Sequence, residues 1–243
     1  MTVFGITDRG KVRTVNQDAM RFWAQPESGH AIVVLCDGMG GEKAGEVASA
    51  IASEAFFEYA QNALQGPEPP LVVDIAREAT AFANLQVYDR ANRDDECHGM
   101  GTTLVAAVVN GTDTAVVNLG DSRCYWLAEG QLLQVTRDHS WVQELVDQGA
   151  ISADEARSHP RRNLITRALG LQRRSRSDIY RLDFREDDTL LLCSDGLSNQ
   201  VTEQEMTSIL TDERDLRAAC DKLLSLALQR GAPDNVTVLI LRR

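Results

Sequence analysis

The sequence predicts an α+β protein whose sheets are mainly antiparallel. Short apolar runs are joined by two- and three-residue turn signals, which is typical of β-hairpins. Two long helical patterns follow each other with no strand pattern between them, so the sequence does not suggest an alternating βαβ order. The 243 residues are enough for one hydrophobic core, and we expect a single domain over residues 1–243.

The first half of the chain carries the clearest helix and strand signals. Residues 30–36 form an apolar run that ends at Asp37-Gly38, which predicts a buried strand followed by a turn. Apolar residues then recur at spacings of three and four, which predicts helices over 43–64 and about 71–92.

The second half of the chain is interpreted from turn and capping signals. Asn110-Gly111 predicts a hairpin between strands 102–109 and 114–119, and Ala128-Glu129-Gly130 predicts another between 124–127 and 131–135. Capping-box pairs are Ser152 with Glu155 and Thr202 with Glu205. The remaining predicted elements are short helical pieces in 140–170, a strand over 188–194, a helix from Thr202, a helix over about 213–230 and a last strand over 236–241.

Composition excludes several function classes. Lys and Arg total 25 against 36 Asp and Glu, a net charge of −11, which argues against nucleic acid and anionic membrane as partners. The five cysteines are odd in number and form no CxxC pair, which favours free thiols and a cytoplasmic location over disulfides or zinc. We expect neither a signal peptide nor a membrane-spanning segment.

Aspartates recur where predicted strands begin or end, often beside a glycine. Asp37, Asp121 and Asp195 follow apolar runs, whereas Asp18 and Asp234 precede strands. Turn formation alone explains any single one of them. Five converging carboxylates would repel each other, by about 3 kcal/mol for a pair about 5 Å apart. The set therefore favours a site for hard cations such as Mg²⁺ or Mn²⁺, which can promote displacement at phosphorus.

Arg13 lies five residues before Asp18 and has two interpretations. Its guanidinium could bind a phosphate group near the carboxylates. An exposed arginine near the start of a chain is more often simply solvated, and the spacing alone leaves both alternatives open.

Seven motifs stand in the order found in one phosphatase family. They are Arg13-Thr14-Val15-Asn16-Gln17-Asp18-Ala19, Asp37-Gly38-Met39-Gly40-Gly41, Gly99-Met100-Gly101-Thr102-Thr103, Gly120-Asp121-Ser122-Arg123, Thr136-Arg137-Asp138-His139-Ser140, Ser194-Asp195-Gly196 and Asp234-Asn235-Val236-Thr237. From about residue 4 to 241, the chain resembles the PP2C-type (PPM) serine/threonine phosphatases, in particular their compact bacterial branch.

The resemblance implies a four-layer α-β-β-α sandwich with two mainly antiparallel sheets flanked by helix pairs. It also implies hydrolysis of phosphoserine and phosphothreonine by a metal-activated water, without a phosphoenzyme. By position, Asp37 would bridge two central Mn²⁺ or Mg²⁺ ions and Gly38 would bind through its carbonyl. Asp195 and Asp234 would hold the first ion directly.

Other roles follow from the same resemblance. Asp18 would act mainly through bound water, and Arg13 would bind the substrate phosphate. Asp121, together with Asp195, resembles a third metal site, and Asn163 would lie near it in a mobile flap at about 140–170. Met39 departs from the family pattern, because animal relatives carry there a histidine that is thought to protonate the leaving group. Metal-bound water and Asp18 are the two alternatives for that role in this chain.

The resemblance also implies the partners: phosphorylated proteins, the products of a cognate Ser/Thr kinase in bacterial signalling, acted on by a monomer. Two alternatives remain: a catalytically weak binding module on the same fold, and a phosphoesterase for small phosphate esters. Seven arginines within 157–176 form either a solvated face or a docking surface for acidic or phosphorylated protein.

Overall fold

The computed structural model describes residues 1–40 and 44–243 as two stacked β-sheets with helices on their outer faces. The strands are β1 (Thr2–Asp8), β2 (Asp18–Gln25), β3 (His30–Met39), β4 (Gly101–Thr102), β5 (Leu104–Asn110), β6 (Asp113–Leu119), β7 (Arg123–Ala128), β8 (Gln131–Gln134), β9 (Asp178–Asp183), β10 (Thr189–Cys193) and β11 (Val236–Arg242). Every pairing between these strands is antiparallel.

One sheet has the order β1-β11-β10-β7-β8, and the other has the order β2-β3-β5-β6-β9 with β4 paired to β3. The helices are α1 (Ala44–Leu64), α2 (Val72–Arg93), α3 (Trp141–Asp147), α4 (Ala153–Ser158), α5 (Asp195–Ser198), α6 (Glu203–Asp212) and α7 (Leu216–Gln229). This arrangement confirms the predicted α+β class and the four-layer α-β-β-α sandwich.

Three buried apolar clusters fill the spaces between the four layers. One lies under α1 and α2, one lies between the sheets, and one lies under α5, α6 and α7. Strand β3 contributes to two of them, because Ile32 and Val34 face the first helix pair while Val33 and Leu35 face the other sheet. This burial on both faces explains the uninterrupted apolar run at 30–36.

Most predicted elements are confirmed, and the differences have local causes. Strand β3 continues past its predicted end to Met39, because Gly38 and Met39 pair with the short strand β4. The predicted strand 102–109 is divided into β4 and β5, and β1 and β9 were not predicted. Gly41 of the second motif, and the predicted helix start at residue 43, lie outside the described residues.

The segment 140–170, named here the flap segment, contains the short helices α3 and α4. Ser152 and Glu155 form the predicted capping box at the start of α4. Trp141 packs edge-on against His159, and the Arg161 guanidinium lies 5.6 Å from the centre of the Trp141 ring. Over the described ranges, none of the helices combines the length and the apolar character that crossing a membrane requires.

Candidate active site

A cavity of about 410 Å³ lies at one end of the sandwich, where several strand ends meet. Asp37 comes from β3, Asp121 follows β6, Asp195 follows β10 and Asp234 precedes β11. The cavity is lined by these four aspartates and by Arg13, Gly38, Met39, Thr103, Asn163 and Ile165, among others. The structure therefore brings the predicted site residues together, with Asn163 and Ile165 contributed by the flap segment.

Asp18 is not among the residues that line the cavity, and it is only 8% exposed. It is the first residue of β2 and stands opposite Asp37 in the antiparallel register. Its Oδ2 accepts hydrogen bonds from Ser194 Oγ at 2.8 Å and from Thr237 Oγ1 at 2.6 Å. Its Oδ1 is buried without a hydrogen-bond partner, which is costly for a carboxylate unless it carries a proton or meets a cation.

Burial and mutual repulsion raise the pKa of the clustered carboxyl groups. Burial, followed by repulsion from neighbouring aspartates, holds the pKa values of Asp37 and Asp195 well above the ordinary range. Burial raises the pKa of Asp18 to about 6 and that of Asp121 to about 7. The site therefore favours bound protons or bound cations at neutral pH.

These pKa values predict how pH affects the stability of the protein in EDTA. An aspartate in an unfolded chain has a pKa of about 3.9. Between that pH and about pH 7, the folded state therefore holds more protons than the unfolded state. The free energy of unfolding should therefore fall as pH rises from about 5 to 8, by up to about 1.4 kcal/mol per pH unit for each proton released. Urea unfolding at a series of pH values measures this slope. The slope should be smaller in Asp121→Asn, and an equal slope in that variant would contradict the assignment.

Hydroxyl side chains that the sequence analysis did not single out fix the backbone around Asp37. The Asp37 N–H donates to Thr103 Oγ1 at 2.9 Å, and the Asp37 carbonyl accepts from Thr102 Oγ1 at 2.9 Å. Thr103 Oγ1 also lies 2.8 Å from Ser122 Oγ, next to Asp121 in the chain. Thr102, Thr103, Ser122, Ser194 and Thr237 all lie inside the quoted motifs, which was the available signal for their supporting roles.

Gly38 lies where β3 and the start of α1 approach each other closely. A Cβ atom at this position would overlap the backbone of Gly45 and lie 2.9 Å from the Gln17 carbonyl oxygen. The Gly38 N–H donates to that same carbonyl oxygen at 3.0 Å. Only glycine allows this approach, and Gly38 lines the cavity together with Asp37.

Arg13 reaches the same cavity and forms an ion pair with Asp234. Its Nη2 lies 2.8 Å from Asp234 Oδ2, and half of the Arg13 side chain is exposed. This hydrogen bond raises the pKa of Arg13. Of the two alternatives for Arg13, the structure supports a place in the site. A guanidinium has five N–H donors, so Arg13 can bind Asp234 and a second group at the same time.

The donor set fits hard divalent cations. The lining residues supply carboxylate and backbone oxygens but no histidine or cysteine ligand, and Asp18 Oδ1 and Asp195 Oδ1 are buried without partners. Across residues 1–40 and 44–243, no three His, Cys, Asp or Glu side chains are close enough to hold one ion among them. Mg²⁺-type ions commonly use one or two carboxylates and complete their shell with water, so a site for such an ion does not need three carboxylates.

The geometry of the site and the comparisons with known proteins identify the family to which this chain belongs. The family model "Protein phosphatase 2C" matches residues 8–231, and this chain belongs to that family. A "Serine/threonine phosphatase stp" of Listeria welshimeri is 40% identical over 98% of this chain and 94% of the relative.

Two solved structures show the same fold. Serine/threonine phosphatase Stp1 from Staphylococcus aureus matches with a TM-score of 0.89 and 37% identity, over 99% of this chain and 94% of that chain. The catalytic domain of the phosphatase PstP, solved in complex with two manganese ions, matches with a TM-score of 0.86 and 34% identity, over 98% and 96% of the two chains.

Proposed function

We propose that this protein removes phosphate from phosphoserine and phosphothreonine residues of protein substrates with the help of Mn²⁺ or Mg²⁺. The observation that carries the proposal is one cavity that joins four aspartates to Arg13, with Asp18 buried behind them. A carboxylate cluster attracts cations, and a guanidinium binds phosphate. Family membership and the named relatives support the same activity.

The chain would hold two central ions and a third. Asp37, the Gly38 carbonyl, Asp195 and Asp234 are the proposed ligands of the central pair, and Asp121 with Asp195 those of the third. Bound ions would neutralise the carboxylates, activate a water molecule as nucleophile and polarise the phosphoryl group.

Arg13 and Asp18 are the proposed catalytic side chains. Arg13 would bind and orient the substrate phosphate while it remains beside Asp234. The two hydrogen bonds to Asp18 Oδ2 leave Oδ1 as the oxygen that can hold a proton, and burial raises the pKa of Asp18 to about 6. Asp18 is thus suited to deliver a proton through water to the leaving alcohol, since Met39 carries none.

Several features support protein substrates over small phosphate esters. We propose that the single domain over 1–243 uses residues 140–170 as a flap beside the site, because Asn163 and Ile165 line the cavity. Within the described part of the chain, Arg173 and Arg174 are exposed and make no ion pair, so they are available to acidic groups of a phosphoprotein.

The cellular setting is proposed on the same basis. The five cysteines are free and buried, which is typical of a reducing compartment such as the cytoplasm. We propose a monomer that reverses a cognate Ser/Thr kinase in bacterial signalling, acting on phosphoproteins and on neither nucleic acid nor membrane.

Hydrolysis of a phosphothreonine peptide tests the proposal. Purified protein should release phosphate in Mn²⁺ or Mg²⁺ and none in EDTA, and it should act on the peptide faster than on a nucleotide or sugar phosphate. A preference for the small esters would favour the small-molecule phosphoesterase. No hydrolysis by folded protein with either metal would favour a binding module.

A further inference from the structure

His139 joins the flap segment to the turn that carries Asp121. Its side chain is 6% exposed. His139 belongs neither to strand β3, which carries Asp37, nor to the segment between β1 and β2, which carries Arg13. The residue makes hydrogen bonds in two directions, toward Gly120 on one side and toward Asp178 and Thr166 on the other. The proposed function assigns it no role.

On the first side, His139 binds both backbone groups of Gly120. The Gly120 N–H donates to His139 Nδ1 at 3.1 Å, and the His139 N–H donates to the Gly120 carbonyl at 2.8 Å. Gly120 has a φ of +113°, and a Cβ there would lie 2.6 Å from the Thr103 side chain. The peptide before Asp121 is thus held between His139 and Thr103 in a backbone conformation that favours glycine.

The direction of these bonds fixes the form of the imidazole. A backbone N–H can only donate, so Nδ1 must accept and carries no proton. The ring proton is then on Nε2, which lies 3.0 Å from Asp178 Oδ2 and donates to it. Arg167 Nη1 lies 3.1 Å from the same nitrogen, and in this tautomer it makes a close contact there but no hydrogen bond. Burial lowers the pKa of His139, which maintains this neutral form at neutral pH.

On the second side, His139 contacts both ends of the flap segment. Arg167 Nη1 donates to Asp178 Oδ1 at 3.2 Å, so Asp178 joins His139 to the last part of the flap segment. The Thr166 N–H donates to the His139 carbonyl at 2.7 Å, and the adjacent Ser140 pairs with Ile165. His139 therefore sits where the two ends of the flap segment meet.

We propose that His139 is a positioning residue that fixes Asp121 for binding a divalent cation and ties that ligand to the base of the flap segment. This inference rests on the proposed function, because it takes Asp121 as a metal ligand. A histidine suits the role because one ring nitrogen accepts from Gly120 while the other donates to Asp178. Its loss would loosen the Gly120-Asp121 turn while leaving Asp37 and Asp234 in place.

Two substitutions separate the two sides of the imidazole. In His139→Asn, the amide oxygen can occupy the place of Nδ1 and accept from Gly120. In His139→Gln, the longer amide reaches toward Asp178 and leaves the Gly120 N–H without its acceptor. His159→Gln is the matched control, because His159 lies in the flap segment but does not contact Gly120.

Manganese binding, measured by EPR titration of free Mn²⁺, is the readout. We expect His139→Gln to weaken the weakest Mn²⁺ binding event at least tenfold and to leave the tighter events unchanged. His139→Asn and His159→Gln should bind as the wild type does. Unchanged binding by His139→Gln, or equal loss in His139→Asn, would overturn this inference alone, whereas no Mn²⁺ binding by the wild type would overturn the proposed function.

An NMR measurement on the wild-type protein in EDTA does not depend on the folding of a variant. We expect a scalar coupling between the Gly120 amide nitrogen and His139 Nδ1 across their hydrogen bond, and an imidazole protonated only at Nε2. An imidazole protonated at Nδ1 would overturn the inference whatever the variants show.

Discussion

Asp37→Asn and Asp195→Asn should each lower the Mn²⁺-dependent turnover of a phosphothreonine peptide by about 1,000-fold or more. Both side chains line the cavity. Burial, followed by repulsion from neighbouring aspartates, raises the pKa of both carboxyl groups. An amide keeps the shape but removes the negative charge that would hold a cation, and metal-assisted catalysis contributes several kcal/mol, or about 10³-fold in rate.

The same substitutions should stabilise the protein in EDTA. Each replaces an acid that is buried among other aspartates with a neutral side chain, so repulsion across the cavity decreases. Relief of about 1 kcal/mol would raise the melting temperature by about 2–4 °C for a chain of this length. Loss of activity together with a gain in stability is expected where a site is built for function.

Thermal unfolding with and without Mn²⁺ separates this result from misfolding. The wild type should gain stability when Mn²⁺ is added, and the two variants should gain less. Asp221→Asn is the matched control, because Asp221 is an exposed aspartate of α7 far from these residues in the fold. Full activity in Asp37→Asn, or a lower melting temperature in EDTA for both variants, would contradict the assigned role.

The sequence predicted the helices and central strands well because their patterns are set by burial. Strand β3 is buried on both faces and gives a continuous apolar run, whereas α1 buries one face and gives a three- and four-residue spacing. Strands β1 and β9 lie at sheet edges and are mostly half-buried, so their residues show neither pattern. Their place is set by pairing with β11 and β6 instead.

The sequence predicted the acidic residues of the site but not the hydroxyl side chains that hold them in place. An aspartate at the end or the start of an apolar strand can be found by inspection, and four such aspartates converge on one cavity. By contrast, the hydrogen bonds from Ser194 and Thr237 to Asp18 span 176 and 219 residues of chain. No local pattern specifies such contacts, so only the fold reveals them.

Arg13 differs from the aspartates because its spacing in the sequence fitted both a place in the site and simple solvation. Its contact with Asp234 at the cavity supports the place in the site. Its guanidinium lies 2.8 Å from the Asp234 carboxylate, while half of the Arg13 side chain stays exposed toward solvent. An arginine can bind one oxygen of a carboxylate and still direct other N–H groups at a phosphate. The Asp234 contact would then orient the guanidinium before substrate arrives.

Arg13→Ala should therefore lower kcat/KM for a phosphothreonine peptide by about 100-fold, mainly through a higher KM. Charge-assisted hydrogen bonds contribute about 1.5–3 kcal/mol, and 1.4 kcal/mol corresponds to a factor of ten. Arg13→Lys should retain part of the activity, because a lysine keeps the charge but loses the fork geometry. Inhibition by inorganic phosphate should weaken in parallel, because the product uses the same contact.

Steady-state kinetics over a range of peptide concentrations and a phosphate inhibition series measure these effects. Lys11→Ala is the matched control, since Lys11 is an exposed cation two residues away and is not among the residues that line the cavity. It should leave both KM and phosphate inhibition unchanged. If Arg13→Ala reduced kcat alone and left phosphate inhibition intact, Arg13 would act by holding Asp234 in place, and its proposed contact with substrate would be wrong.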